Sequence, residues 1–257
     1  MGKIIAISNQ KGGVGKTTTS VNLASSLSYL GKKVLLVDID HQANATTYMG
    51  VNRANLEYTV ADVFTNGVPI EKVIQKVTSV SVDIVPARFE LSSVENSLIK
   101  HDNKDFILSN ALDSVRNNYD FILIDCPPSL GVITLNGLIA SDGVLIPVQC
   151  EFLALDGLTQ LLNTIRVIQN RQKHNNRTLT IEGVLLTMLD TRSNIGYEVI
   201  DEVKRYFEEK VFNTIIPRNV KCSVAPSYGL PVTEFSPKSK GSISYQNLAK
   251  EMVDNNE

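Results

Sequence analysis

The chain has 257 residues, 43% of them apolar and 20% charged, with a formal net charge of −2. That balance fits one compact domain, residues 1–257, and gives no bulk charge that would select a partner. It contains no apolar run long enough to span a bilayer, its first residues lack the layout of a signal peptide, and three widely spaced cysteines (Cys126, Cys150, Cys222) argue against a disulfide framework or zinc site and for a reducing cytosol.

The first element is "KIIAIS" at 3–8, short, apolar and rich in branched side chains, as a buried strand should be. Similar runs predict strands at 33–38, 82–87, 121–126, 143–148, 183–189 and 211–217. Helical patterns lie between them at 16–30, 91–100, 105–117, 131–140, 154–173, 195–209 and 242–254. Strand alternating with helix predicts right-handed βαβ units: a three-layer α/β sandwich with a mostly parallel, twisted sheet flanked by helices. Such sheets bind ligands at the carboxyl ends of their strands. "NQKGGVGKT" follows the first strand, "DIDHQANAT" the second, and "DCPPSLG" the strand at 121–126, so three polar motifs should converge on one sheet edge.

A phosphate-binding loop reads G-x-x-x-x-G-K-[ST]. Gly15, Lys16 and Thr17 supply its end, but the first glycine is replaced by Gln10, and a second lysine, Lys11, stands beside it. The backbone of Gly12, Gly13, Val14 and Gly15, with Lys16, Thr17 and Thr18 opening a helix, suits a polyphosphate. Lys16 should reach the β- and γ-phosphates of ATP, and the Thr17 hydroxyl should ligate Mg²⁺. Lys11 has no task in that scheme. On the outer wall of the loop it could reach a nucleotide held by a facing copy, which predicts an ATP-dependent homodimer.

Asp38 and Asp40 close the second strand and Asp125 closes the strand at 121–126. Asp125, usually through water, and Asp38 belong beside the metal, and Asp40, one step further out, is placed to orient the attacking water. His41 reads as an exposed loop histidine and Cys126 as a small buried residue. Pro127 and Pro128 stiffen a segment suited to switching.

The stretch K-G-G-x-G-K-[ST]-T resembles the deviant Walker A loop of the ParA/MinD/nitrogenase-iron-protein family, P-loop NTPases that form ATP sandwiches, and Lys11 matches the family's signature lysine. The resemblance identifies "DIDHQANAT" with switch I and "DCPPSLG" with switch II. Chromosome-partitioning members commonly read D-P-Q-G-N-A-T at switch I, so His41 and Ala43 depart from the pattern. Within the family, four readings stand: a DNA-partition ATPase, a MinD-like membrane-associated positioning ATPase, an iron–sulfur electron donor, and a ligase-like or structural nucleotide-binding subunit. The acidic end "YQNLAKEMVDNNE" does not favour a membrane-landing helix, and the cysteines do not match a cluster site. Similarity to the ParA/Soj branch extends through 149–165, 181–194 and 215–232.

That resemblance implies a weak, partner-stimulated ATPase, cytoplasmic and nucleoid-associated without stable membrane association. It implies non-specific double-stranded DNA and a ParB-type centromere-binding protein as partners. It further implies that Pro217 and Asn219 hold adenine and that Arg192 and Lys221, with Arg218 as an alternative, contact DNA. Residues 166–221 carry ten basic and seven acidic side chains, a net +3 on an otherwise acidic chain, as a polyanion-facing surface would.

Overall fold

Among the described residues, seven strands form one sheet in the order β3-β4-β2-β5-β1-β6-β7. They are β1 (Lys3–Ile7), β2 (Val34–Asp38), β3 (Gln75–Val77), β4 (Val82–Val85), β5 (Phe121–Asp125), β6 (Gly143–Gln149) and β7 (Thr180–Thr187). The computed structural model describes residues 1–98, 104–152, 154, 158–172 and 178–256. The helices are α1 (Lys16–Tyr29), α2 (Asn44–Tyr48), α3 (Val60–Asn66), α4 (Ile70–Val73), α5 (Leu91–Leu98), α6 (Ile107–Asp113), α7 (Val132–Ala140), α8 (Leu158–Gln172), α9 (Asn194–Phe207), α10 (Val220–Val224), α11 (Val232–Phe235) and α12 (Lys240–Asp254).

All pairings are parallel except β3 with β4. Each central strand is apolar throughout because it is covered twice. Ile4 and Ala6 enter one core with helices α3 and α5 to α8, while Ile5 and Ile7 enter the other with α1 and α12. This is the period-2 alternation of a strand between two helical layers. Helix α1 is buried along most of its length, because β1 and β5 lie under it and α12 covers it.

Two sequence expectations change. The run 211–217 is not a strand: its backbone pairs only through isolated bridges, Val211 with Val184 of β7 and Pro217 with Leu189 just beyond it. Between them the N–H groups of Asn213 and Thr214 donate to the Glu251 carboxylate on α12 (2.6 and 2.9 Å), which draws the chain off the ladder. Conversely, β3 adds an antiparallel edge, too short and polar ("QKV") to be recognised as a strand. The predicted helix at 154–173 is present over 158–172; positions 153, 155–157 and 173 lie outside the described residues, as do 99 and 100 of the helix predicted at 91–100. Among the described residues no helix is long and apolar enough to cross a membrane.

Candidate nucleotide site and basic face

The register puts the three polar motifs side by side. Asp125 is the Cα partner of both Ile7 and Asp38, so the loop after β1 and the acids of β2 and β5 share one edge. The loop is braced from its own walls. Buried Asn9 donates to the Pro147 carbonyl (2.7 Å) and accepts from the Lys11 N–H (3.0 Å). Thr187, at the end of β7, donates to the Val14 carbonyl (2.9 Å). Gly13 and Gly15 take φ of +76° and +91°, which side chains resist, and Gly15 caps α1.

The Lys16 ammonium is 7% exposed and donates to the Lys11 carbonyl across the loop (3.0 Å). Burial lowers its pKa, opposed by the fields of Asp125, Cys126 and Asp40. A Cβ at Gly12 or Gly13 would meet nothing within 4 Å. A buried ammonium, loop amides and a helix N-terminus around an open, glycine-walled concavity fit a phosphate chain.

The Thr17 hydroxyl donates to Asp125 Oδ2 and the Ser20 hydroxyl to Asp125 Oδ1, both at 2.8 Å. Asp38 is committed differently: Oδ1 accepts from the Asp40 N–H (3.1 Å), and Oδ2 accepts from the Thr46 N–H and hydroxyl (2.8 and 2.7 Å). Both carboxylates are fully buried. Burial, then repulsion from Asp38, pushes Asp125 up, and burial pushes Asp38 up against its Thr46 bonds. A divalent cation shared by Thr17 and Asp125 would relieve that penalty, so the oxygen set suits Mg²⁺.

Asp40 is 6% exposed, and its Oδ1 accepts from the Gln42 N–H (2.9 Å), with His41 Nδ1 at 3.6 Å. His41 is half-exposed and meets the Phe89 ring edge-on. Ala43 takes the left-handed conformation (φ 52°, ψ 39°) although it carries a buried methyl group. The turn therefore keeps a backbone shape that glycine would accept more readily. Cys126 is buried, as expected.

A cavity of about 280 Å³ opens beside Gly15 and Thr18, walled by Met188, Pro217, Asn219 and Cys222. Asn219 Oδ1 accepts from the Lys221 N–H (2.8 Å), leaving the amide NH₂ to donate to a base. Pro217 and Asn219 both line this cavity. Thr187, Met188 and Cys222 were missed. Thr187 ends β7 and Met188 follows it, and the strand-end rule that found the aspartates could have found them.

The basic face differs from its sequence reading. The Arg192 guanidinium, 86% exposed, forks onto Asp190 (2.9 and 2.7 Å). Arg192's hydrogen bonds, helped by the field of Arg218, hold the Asp190 carboxyl well below its usual range. Arg218 pairs with Glu151 at 2.5 Å. Among the described residues no acid is paired with Lys221; its ammonium lies 5.8 Å from the Phe235 ring centre. Lys173 and Arg177 of the basic segment lie outside the described residues.

A family model described as an AAA domain (AAA_31) matches residues 2–181. The sporulation initiation inhibitor protein Soj of Bacillus subtilis is 54% identical over 99% of this chain and 100% of its own. The chromosome partitioning protein ParA of Myxococcus xanthus is 46% identical over 98% of this chain and 88% of its own. Among solved structures, cobyrinic acid a,c-diamide synthase of Mycobacterium smegmatis, with bound ADP and magnesium, superposes at TM-score 0.83 with 34% identity, covering 97% of this chain and 93% of its own. The cell division ATPase MinD of Pyrococcus furiosus superposes at 0.79 with 28% identity, covering 99% and 100%.

Proposed function

Because the chain belongs to the ParA/Soj branch of the ParA/MinD family of P-loop ATPases, we propose that it is a partition ATPase whose ATP-bound pair holds DNA and whose hydrolysis releases it. Lys16 leaves the Lys11 carbonyl to neutralise the β- and γ-phosphates, and the loop amides fix the chain. Thr17 and Asp125, with Asp38 behind them, would hold Mg²⁺, and that ion would supply neutralising charge to the phosphate chain. Asp40 orients the attacking water, and Pro217 and Asn219 hold the base.

The observation that carries the dimer is the wall formed by Lys11 and Gly12. Gly12 has no positive φ, and a side chain there would meet nothing within 4 Å. No acid is paired with the Lys11 ammonium among the described ion pairs. Among the described residues nothing demands glycine at one position or lysine at the other, and both would be accounted for if the loop packs against a second copy. Lys11 then neutralises the partner's triphosphate, linking nucleotide state to pairing.

Each protomer offers few cations, Lys221, Arg192 and Arg218, so two copies on one duplex gain avidity with no further surface. Hydrolysis, slow alone and stimulated by a ParB-type centromere-binding protein, separates the pair. The protein would then work in the cytoplasm on the nucleoid. DNA retention with ADP, ATP and a slowly hydrolysed analogue tests the reading. Retention with triphosphates alone supports it; triphosphate-dependent retention on liposomes instead of DNA would favour the MinD-like alternative.

A further inference from the structure

Helix α2 is only five residues long, yet it is fastened at both ends. At its start, Thr46 is bound to Asp38 through N–H and hydroxyl, and its oxygen accepts from the Ala87 N–H (2.9 Å). At its end, buried Tyr48 donates its hydroxyl hydrogen to the Cys222 carbonyl of α10 (3.3 Å) and accepts from Asn22 Nδ2 (3.1 Å). Asn22 in turn donates to the Thr18 carbonyl (2.7 Å) and accepts from the Val232 N–H (2.7 Å). One buried chain of polar atoms thus joins the phosphate helix α1, the helix α2 that follows Asp40, and α10.

A second contact joins the same two segments independently. Gly50 and Gly229 lie backbone against backbone: a Cβ at 50 would sit 2.7 Å from the Gly229 oxygen, and one at 229 would sit 2.9 Å from the Gly50 Cα. Only two glycines permit that approach. The segment so gripped, 219–229, begins at Asn219 in the wall of the base cavity and carries Lys221 on its outer side. The other end of α2 meets the loop of Asp38 and Asp40 through Ala43, which holds the left-handed conformation that a non-glycine residue adopts only under constraint from its surroundings.

We propose that Tyr48 is a positioning residue that makes α2 a strut between the γ-phosphate loop and segment 219–229, so that both move as one body. Presence or loss of the γ-phosphate, acting on the loop at 38–43, is then felt at the base cavity and at Lys221. The transmission is mechanical and reciprocal: whatever 219–229 binds will bias the loop that holds Asp40. The inference rests on the nucleotide site and not on the identity of the polyanion.

Hydrogen exchange read by mass spectrometry tests it. ADP and a slowly hydrolysed ATP analogue carry the same base, so with Mg²⁺ present, an exchange difference at 219–229 between them traces to the γ-phosphate or the pairing it brings about, and only the part lost in the variants below is carried by the strut. In the wild type, exchange there should be several-fold slower with the triphosphate. In Tyr48→Phe, which keeps the ring and loses only the hydroxyl, the difference at 219–229 should vanish while that at 38–43 persists, with nucleotide affinity within about twofold of wild type. Gly229→Ala, which forces the two backbones apart, should have the same effect and decides the matter if Tyr48→Phe does not fold. Equal exchange at 219–229 in the wild type, or a full difference retained in the variant, would overturn the strut. DNA retention in parallel separates the two ideas. Wild-type protein that ignores DNA with either nucleotide refutes the partition reading and leaves the exchange result standing, whereas a strut that also serves DNA lowers the triphosphate-to-diphosphate affinity ratio in Tyr48→Phe by about fivefold.

Discussion

The phosphate loop and the basic face carry charges of similar number but are built in opposite ways. At the loop, Lys16, Asp38 and Asp125 are buried, and each is held by a named partner inside the fold. At the face, Arg192 and Arg218 are exposed, and each is already matched by an acid. Buried charges are costly without partners, so their positions are fixed by the fold and their chemistry can be read from it. Exposed ion pairs contribute little to stability and exchange partners readily, so the same residues can serve a polyanion only in competition with their own acids.

The largest break in this contrast comes from Lys16→Ala. The loop loses its one buried cation, and ATP affinity by fluorescence titration should fall by about 100-fold or more; an unchanged affinity would remove Lys16 from the phosphate site. The buried acids supply the second test. Burial, then repulsion from Asp38, pushes the Asp125 carboxyl up to about 8 in the nucleotide-free protein, so it gives up its proton at higher pH than in the unfolded chain. Stability should therefore fall as pH rises from the ordinary carboxylate range near about 4 through that value. Asp125→Asn should raise the nucleotide-free Tm at pH 8 by roughly 4 °C and change it little at pH 5. A wild-type Tm that is flat between these pH values contradicts the account.

At the exposed face effects should be smaller and ordered by pairing. Lys221→Ala should weaken DNA binding by about fivefold and reduce the steepness of its salt dependence by roughly one phosphate's share, whereas Arg192→Ala, removing an already neutralised charge, should cost only about twofold. Asp190→Asn should tighten binding by about threefold, since it frees Arg192. Equal losses for the two cations, or weaker binding in Asp190→Asn, would show that the acids do not compete. The smallest effect belongs to Ala43→Gly. Relief of left-handed strain, about 1 kcal/mol, is offset by loss of a buried methyl, about 0.8 kcal/mol, and by added freedom of the unfolded chain. Its Tm should stay within about 3 °C of wild type, and a larger gain would mean that the methyl group packs poorly.

How much of this was legible in the sequence follows the same division. The loop, Asp38 and Asp125 were readable because short apolar strands end where polar motifs begin, and a parallel sheet gathers strand ends on one edge. The run "VFNTIIP" misled because its fate depends on Glu251, far along the chain on another helix. Cys222 and the bond from Tyr48 to Cys222 were invisible for the same reason: those roles are created by contacts between distant segments. Local net charge pointed to the basic face but could not show that Asp190 and Glu151 stand within ion-pair distance of its arginines.

In the proposed pair Lys11 serves a neighbour's nucleotide and not its own. Light scattering of Lys11→Ala with Mg²⁺ and a slowly hydrolysed ATP analogue, beside titration with a fluorescent ATP analogue, tests it most directly. The account predicts wild-type protein at twice the protomer mass and the variant at the protomer mass, both binding nucleotide with similar affinity. A variant that pairs as the wild type does, or that loses ATP binding as Lys16→Ala should, would contradict it.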